Sequence, residues 1–243
     1  MLGKTPRIIG YRAAAWVYRL DAIDGLQLEY CIPHGARPRS PFDHQRRRID
    51  DLGITEVDGV LITTVSQTLV DLCAVVDPDI VERAAESALR LRLVDELELR
   101  DFANLWAFSR HGAPGLRDVL DRRPIGAPPT GSDLETQCLQ VFRRGGLPRP
   151  ERQWPVLDLH DELVAIADFG FPPIPFIVET DGLEAHATPA QLQHDLNRQN
   201  RILDAGYGLR RFTHADVTRR PSYVIRETKR GLLYASATSA IAA

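Results

Sequence analysis

The C-terminal half of the sequence alternates short apolar runs with amphipathic stretches. Apolar residues recur at three- and four-residue spacing from Ser132 to Arg144, which predicts a helix that ends at a glycine pair. Three strands are predicted next, "RQWPVLDLH", "LVAIADFG" and "PFIVET", with a tight hairpin at Asp161–Glu162. Thr188–Pro189 is a typical N-cap and first-turn pair for a helix that runs to Gly206. A fourth strand, "YGLRRFT", and a closing helix complete the order α-β-β-β-α-β-α, a mixed sheet flanked by helices.

The N-terminal half is mixed and becomes helical toward its end. We predict a helix at "YRAAAWVYRL", strands at "LQLEYCI" and "GVLITT" (the second one buried), and a polar loop at "GARPRSPFDHQRRR". Four helices are then predicted, at "SQTLVDLCAVV", "DIVERAAESALRLRLV", "LELRDFANLW" and "GLRDVLDR". The stretch "RRPIGAPPTGS" is rich in proline, glycine and small residues. The sequence therefore predicts an α/β protein with a helix-rich module at 1–122, a linker at 123–131 and a second domain at 132–243.

Composition and charge narrow the function classes. The net charge is -3, so binding to a nucleic acid would need a local basic face. The sequence shows no secretory signal and no run of about 18 apolar residues, which predicts a cytoplasmic protein without a membrane partner. Cys31, Cys73 and Cys138 are far apart, as is typical of reduced core thiols. No Gly-x-Ser-x-Gly, Walker or Gly-x-Gly-x-x-Gly motif occurs, so we expect no small-molecule cofactor.

Three carboxylates lie at the ends of the second and third predicted strands. Glu179 and Asp181 are two residues apart, so their side chains leave the same face of the strand, and hairpin pairing would bring Asp168 near. Like charges this close repel each other, and a bound Mg²⁺ or Mn²⁺ removes that cost. Such an ion can activate water and stabilise the charge that develops on a phosphodiester. The alternative is that these are ordinary surface acids beside an Asp-Gly turn.

Two further residues have competing interpretations. Glu135 is the last residue of Ser132-Asp-Leu-Glu, which matches a capping box, yet it is also a fourth acid for the same site. His186 could orient water or donate a proton to a phosphate, or it could be an ordinary loop histidine.

The chain from Asp195 to Arg230 is locally basic. It holds nine arginines and lysines against four acids, an excess of five positive charges. Such an excess can hold a polyanion through phosphate contacts, although a solvated helix face would look similar. The candidate nucleic-acid ligands are Arg198, Arg201, Arg210 and Arg211.

Four segments of the C-terminal half follow one another along the chain: "SDLETQCLQVFRRGGLPRPERQWPV", "ADF", "FIVETDGLEAH" and "HDLNRQNRILDAGYGLRRFTHADV". Together they resemble the very-short-patch-repair-like (Vsr-like) domain of the PD-(D/E)XK nuclease superfamily, over about residues 131–217. The resemblance implies a restriction-endonuclease-like fold and a Mg²⁺ site at Glu135, Asp168 and Glu179. The family's further conserved positions fall on Asp181-Gly182, His186, Asp195 and Arg198. Asp181 occupies the position of the superfamily's usual lysine.

The N-terminal half has a looser resemblance, carried by "YRAAAWVYRL", "IPHGARPRS", "GVLITTVSQTLVDLCAVV" and "VERAAESALRLRLVDELELRDF". These strings are similar to the C-terminal region of AbiEi-type antitoxins and transcriptional regulators. Such proteins usually carry a winged helix-turn-helix ahead of this region, and we expect none within the present sequence.

Three functions remain open at this point, and the least favoured is a protein-interaction module in which the Asp-Glu cluster is only structural. The first is a Mg²⁺-dependent DNA endonuclease with catalytic candidates Asp168, Glu179, Asp181, Glu135 and His186, of which the first three would bind the metal. The second is a non-catalytic nucleic-acid-binding regulator or antitoxin-like protein of a type IV toxin–antitoxin system, which the absent lysine and the AbiEi-like half favour. A toxin or other partner protein and a homodimer are possible in either case.

Overall fold

Two compact units make up the chain, Met1–Ala127 and Pro128–Ala243, here called the N-terminal and C-terminal units. The structure is a computed structural model that describes residues 7–25, 27–46, 49, 53–105, 112–182 and 188–242. The division falls inside the stretch predicted as a linker. Each unit combines helices with a mixed sheet, so the α/β fold class is confirmed.

The N-terminal unit combines a five-stranded sheet with a group of helices. Its elements are β1 (Ile8–Ile9), α1 (Tyr11–Val17), β2 (Tyr30–Pro33), β3 (Asp43–Arg46), β4 (Ile54–Val57), β5 (Val60–Thr63), α2 (Val65–Leu72), α3 (Pro78–Arg90), α4 (Glu96–Leu105) and α5 (Ala113–Leu120). The strand order is β3-β2-β1-β5-β4, with β1 and β5 parallel, β2 and β3 parallel, and the other two pairs antiparallel. Leu69, Leu72, Val81, Leu99 and Leu116 are buried together where α2 to α5 pack.

Two strand predictions in this unit were wrong in detail. The predicted polar loop contains β3, whose residues pair with β2 over four positions. The predicted buried strand is β5, but Val60 and Leu61 are 45% and 43% exposed because β5 forms an edge hairpin with β4. The first error arises because a short strand at a sheet margin need not be apolar. The second arises because β5 pairs with β1 only at Ile62, so Val60 and Leu61 extend past that neighbour.

The C-terminal unit follows the predicted order, with one short helix added. Its elements are α6 (Asp133–Arg144), β6 (Glu151–Leu157), β7 (Leu163–Phe171), β8 (Ile174–Asp181), α7 (Pro189–Asp204), β9 (Gly208–Thr213), α8 (His214–Arg219) and α9 (Pro221–Ala242). The strand order is β6-β7-β8-β9, antiparallel except for the parallel pair β8 and β9. The parallel pair requires a crossover, and α7 supplies it. The N-cap prediction for α7 is confirmed, because Thr188 and Gln191 form a reciprocal capping box.

Two apolar layers hold this sheet in place. On one side, aromatic residues of β7, β8 and β9 pack against α6, α8 and α9, with Phe142, Phe169, Phe176 and Phe212 buried. A smaller cluster contains Ile177 and joins the sheet to α7 through Ile202. The hairpin predicted around Asp161–Glu162 is present between β6 and β7, but the prediction of a tight turn was wrong. The connection spans residues 158–162, and Asp158 accepts the N–H groups of His160 and Glu162.

The cysteine and membrane expectations have simple outcomes. All three cysteines are free thiols; Cys31 and Cys138 are buried, and Cys73 is half-buried. Burial raises the pKa of Cys31 to about 12 and that of Cys73 to about 12. Among the described helices, none has both the length and the apolar character needed to cross a membrane.

Candidate metal and nucleic-acid site

Asp168 lies on β7, and its carboxylate is held by one residue of β8. Its Oδ2 accepts hydrogen bonds from the backbone N–H of Thr180 at 2.7 Å and from the Thr180 hydroxyl at 2.8 Å. Thr180 lies between Glu179 and Asp181, so its side chain leaves the opposite face of the strand. Asp168 is therefore bonded on the face of β8 that Glu179 and Asp181 do not use.

Glu135 belongs to the cap of α6, and its carboxylate is near enough to Asp168 for the negative charge of Asp168 to raise its pKa. Ser132 is the N-cap, and its Oγ accepts the Glu135 N–H at 3.2 Å. The predicted return bond to the N-cap amide was wrong in position, because Glu135 Oε2 instead accepts the N–H of Gly131 at 2.7 Å. Gly131 permits this contact, since a Cβ there would lie only 2.8 Å from Glu135 Oε1.

Gln153 is a third member of this group. Arg152 pairs with Phe169 and Trp154 with Ala167, so Gln153 lies opposite Asp168 in the β6–β7 ladder. Its φ is +50°, an uncommon value for a non-glycine residue, and its Nε2 donates to Glu135 Oε2 at 3.2 Å. We call Glu135, Gln153, Asp168 and Thr180 the acid pocket.

In the part of the chain that the structure describes, the two carboxylates of the acid pocket have no basic counter-charge. Glu135 is only 6% exposed, and its pKa is raised by burial and then by the negative charge of Asp168, although the Gly131 N–H opposes the shift. Burial, with the charges of Asp168 and Glu135, also raises the pKa of the Cys138 thiol. Across the described residues, no arginine, lysine or histidine forms an ion pair with Glu135 or Asp168. A bound cation would therefore lower the electrostatic energy of this pocket.

This arrangement makes the stability of the chain depend on pH. Because the pKa of Glu135 is raised on folding, the stability from its protonated form is fully present below the ordinary value of 4.5 and is lost as pH rises through the raised pKa. Wild type should therefore lose free energy of unfolding across this window relative to Glu135→Gln, which does not titrate. Urea unfolding from about pH 4 to about pH 8 measures the difference. Glu162→Gln, at an exposed acid, serves as the control that follows wild type; parallel curves for wild type and Glu135→Gln would contradict the prediction.

Glu179 and Asp181 form a second acidic group, and each is paired with an arginine. The Arg198 guanidinium binds Glu179 through two nitrogens, at 2.5 and 3.1 Å. Arg211 binds Asp181 at 2.7 and 3.2 Å, reaches Asp195 at 2.5 Å, and lies 3.9 Å from Glu179. Hydrogen bonding to Asp181 raises the pKa of Arg211 above its ordinary value. Since Arg211 contacts both Glu179 and Asp181, the prediction that they share a face is confirmed.

The four arginines predicted to bind nucleic acid do not form one patch. Arg198 and Arg211 are engaged with the acids described above. Arg210 precedes Arg211 on β9, so it leaves the opposite face and donates to the carbonyl of Leu209 at 2.9 Å. Arg201 is exposed on α7. Further basic residues are exposed on α9, namely Arg226, Lys229 and Arg230.

The predicted roles of His186 and of the metal ligands stay predictions. His186 falls in residues 183–187, outside the described residues. Within the described chain, no group of three or more His, Cys, Asp or Glu residues is placed to hold a metal ion. The metal role of Asp168, Glu179 and Asp181 stays a prediction.

Sequence reasoning missed Thr180 and Gln153. Strand alternation in "ETD" could have indicated the role of Thr180, because it places the Thr180 side chain on the face opposite to Glu179 and Asp181. No local signal indicates that Gln153 reaches Glu135.

Comparison with known proteins finds relatives that are named only as uncharacterised. Two uncharacterised proteins of Mycobacterium tuberculosis, from strains CDC 1551 / Oshkosh and ATCC 25618 / H37Rv, are each 25% identical over 219 residues. Each match covers 90% of this chain and 79% of the relative. The sequence matches no protein-family model, and no solved structure gives a significant match. The class supported directly is thus a two-unit α/β protein with an acid pocket in its C-terminal unit.

Proposed function

We propose that the C-terminal unit is a Mg²⁺- or Mn²⁺-dependent endonuclease that hydrolyses DNA phosphodiester bonds. The observation that carries the proposal is the acid pocket, in which the half-buried Asp168 and the buried Glu135 lack a basic partner among the described residues. A site of one or two carboxylates completed by water and substrate phosphate is a common way to bind Mg²⁺.

The topology of the C-terminal unit supports the same proposal. The sequence resemblance implies a restriction-endonuclease-like domain, and the order α6-β6-β7-β8-α7-β9 with one parallel pair agrees with that expectation. Fold alone does not define activity, so the proposal depends on the acid pocket. The free thiols and a DNA substrate fit the cytoplasmic location expected from the sequence.

Each group of residues has a distinct part in the proposed reaction. Asp168 and Glu135 would hold the metal ion, which when bound would activate water and offset charge on the phosphodiester. Thr180 fixes the orientation of Asp168 through two hydrogen bonds. Gln153 and the Gly131 N–H fix Glu135. The exposed basic residues of α7 and α9 would contact phosphates and position the substrate.

A second function is favoured by the other acidic group. Both oxygens of Glu179 and both of Asp181 accept guanidinium hydrogen bonds, so these acids already have a structural role. A regulator that binds nucleic acid without cleaving it, as in an antitoxin-like protein, would need only the fold and the basic surface. We therefore keep this as the alternative function.

One experiment separates the two functions. The full chain is incubated with supercoiled, linear, mismatched and single-stranded DNA in Mg²⁺, Mn²⁺ or EDTA, and its thermal unfolding is followed as Mn²⁺ is added. The nuclease proposal predicts cleavage only with metal and a rise in Tm with Mn²⁺ that is lost in Glu135→Gln. If none of the DNA substrates is cleaved and DNA binding weakens as the salt concentration rises, the result would support the regulator instead.

A further inference from the structure

The N-terminal unit contains a basic cleft beside the loop between β2 and β3. Its volume is about 560 Å³, within the range of ligand-binding clefts. The cleft is lined by Arg7, Ile32, Ala36, Arg37, Pro38 and Arg39. Half of these residues are arginines, and together we call them the arginine cleft.

Hydrogen bonds to β3 hold the walls of the arginine cleft. The Gln45 amide donates to the carbonyl of Ala36 at 3.2 Å, and the Asp43 carboxylate accepts the N–H of Arg39 at 2.7 Å. The same carboxylate receives two bonds from the Arg7 guanidinium, at 2.6 and 2.8 Å. The Arg7 guanidinium also lies 4.2 Å from the centroid of the Tyr30 ring. A ligand would therefore meet a loop that is already anchored, which lowers the entropic cost of binding.

The charge of the cleft is positive. Desolvation opposes ionisation of Asp43, but its hydrogen bonds from Arg7 and from the Arg39 amide outweigh that effect and lower its pKa. Asp43 is thus a carboxylate, and it offsets the charge of Arg7. The exposed side chains of Arg37 and Arg39 have no carboxylate partner in the described chain, which leaves two uncompensated guanidinium groups.

Two guanidinium groups at the mouth of an open cleft match phosphate oxygens. Arginine binds phosphate bidentately through its planar fork of N–H donors. Among the described lining residues, the other three, Ile32, Ala36 and Pro38, have no side-chain polar group and no aromatic ring on which a base could stack. The cleft can therefore hold a phosphate backbone but has little means of reading a base.

We propose that the arginine cleft binds the phosphodiester backbone of a nucleic acid, as a contact that belongs to the N-terminal unit itself. This inference goes beyond the proposed nuclease function and does not require cleavage. It gives the helix-rich N-terminal unit a direct part in nucleic-acid binding. Arg37 and Arg39 would supply about two phosphate contacts, with Arg7 and Asp43 fixing the wall beside them.

Fluorescence anisotropy of a labelled duplex of about 20 base pairs tests the proposal, with the full chain in EDTA so that no cleavage occurs. Arg37→Ala/Arg39→Ala should bind roughly 10- to 100-fold more weakly at about 0.1 M salt, and its slope of log Kobs against log salt should be shallower by about 1 to 2. The matched control is Arg92→Ala/Arg117→Ala, which removes the same charge from exposed positions of the same unit. Arg37→Gln/Arg39→Gln is a second pair, and far-UV circular dichroism checks that each variant is folded.

The outcomes separate the possible ligands. Loss of affinity and slope in both Arg37/Arg39 variants, with the control near wild type, supports a phosphodiester site in the cleft. An equal loss in the control attributes the effect to net charge and overturns the proposal. DNA binding that is unchanged in the Arg37/Arg39 variants would also overturn it. The same holds if these variants weaken binding of ATP or of an acidic peptide while DNA binding is unaffected. Failure of DNA cleavage leaves this measurement intact, because the assay contains no metal.

Discussion

Asp168→Asn should reduce metal-dependent DNA cleavage by at least about 100-fold while DNA binding stays at wild-type strength. The side-chain carbonyl of asparagine can still accept the two hydrogen bonds from Thr180, so the shape of the acid pocket is retained. The substitution removes a negative charge that the metal would require. Because Asp168 is not part of the exposed basic surface, loss of its charge should not weaken phosphate contacts. Initial cleavage rates in Mg²⁺ and anisotropy in EDTA measure the two effects separately.

Glu162→Gln is the matched control for this prediction. It removes an exposed carboxylate from the connection between β6 and β7, next to the strand that carries Asp168. Cleavage by Glu162→Gln should equal that of wild type. An Asp168→Asn variant that cuts at the wild-type rate would exclude Asp168 as a metal ligand. Where wild type does not cut, the rise in Tm with Mn²⁺ is compared between the same variants.

The parts of the fold that follow from local signals could be predicted. The helix from Ser132, the cap at Thr188 and the order of helices and strands along the C-terminal unit depend on periodicity, capping and turn residues that adjacent positions supply. The shared face of Glu179 and Asp181 follows from strand alternation alone, and the contacts of Arg211 bear it out.

The parts that depend on distant residues could not be predicted in the same way. The segment Asp43–Arg46 is polar, and it becomes a strand because it pairs with β2 and because Arg7 and Asp71 neutralise its charged residues. Gln153 reaches Glu135 only because β6 lies beside β7 and its own backbone takes a positive φ. Neither effect leaves a periodic signal in the sequence.

The acids near the ends of β7 and β8 also illustrate this limit. The sequence places Asp168, Glu179 and Asp181 close along the chain, and charge repulsion then suggests one shared cation. The structure distributes them instead: Arg198 and Arg211 compensate Glu179 and Asp181, while Asp168 is bonded to Thr180 and lies near Glu135. Arginine pairing thus neutralises two of the three carboxylates, and the acid pocket is the better candidate for a metal site.

Arg123→Leu should destabilise the chain by about 3–5 kcal/mol, the largest stability effect we expect from one substitution. Arg123 is 6% exposed although it begins the stretch predicted as a linker. Its guanidinium donates two bonds of 3.0 Å to Glu86, which is 3% exposed, and it also contacts Glu96 at 3.3 Å and the carbonyl of Ala127. Removing the arginine leaves the Glu86 carboxylate buried without this partner. Urea unfolding followed by far-UV circular dichroism measures the loss.

A double-mutant cycle distinguishes this mechanism from a simple loss of packing. Glu86→Leu removes the other buried charge, so Arg123→Leu/Glu86→Leu should recover most of the stability that Arg123→Leu loses, because an apolar pair of similar volume carries no desolvation cost. Arg117→Leu, at an exposed position of α5, should change stability by no more than about 0.5 kcal/mol. A double variant as unstable as the sum of the two single variants would show that Arg123 acts through its contacts with Glu96 and Ala127 rather than through Glu86. Hydrogen exchange of α3 and α5 would then locate the loss. Glu86 lies on α3 and Arg123 follows α5, so these two helices should exchange faster only if the ion pair holds them together.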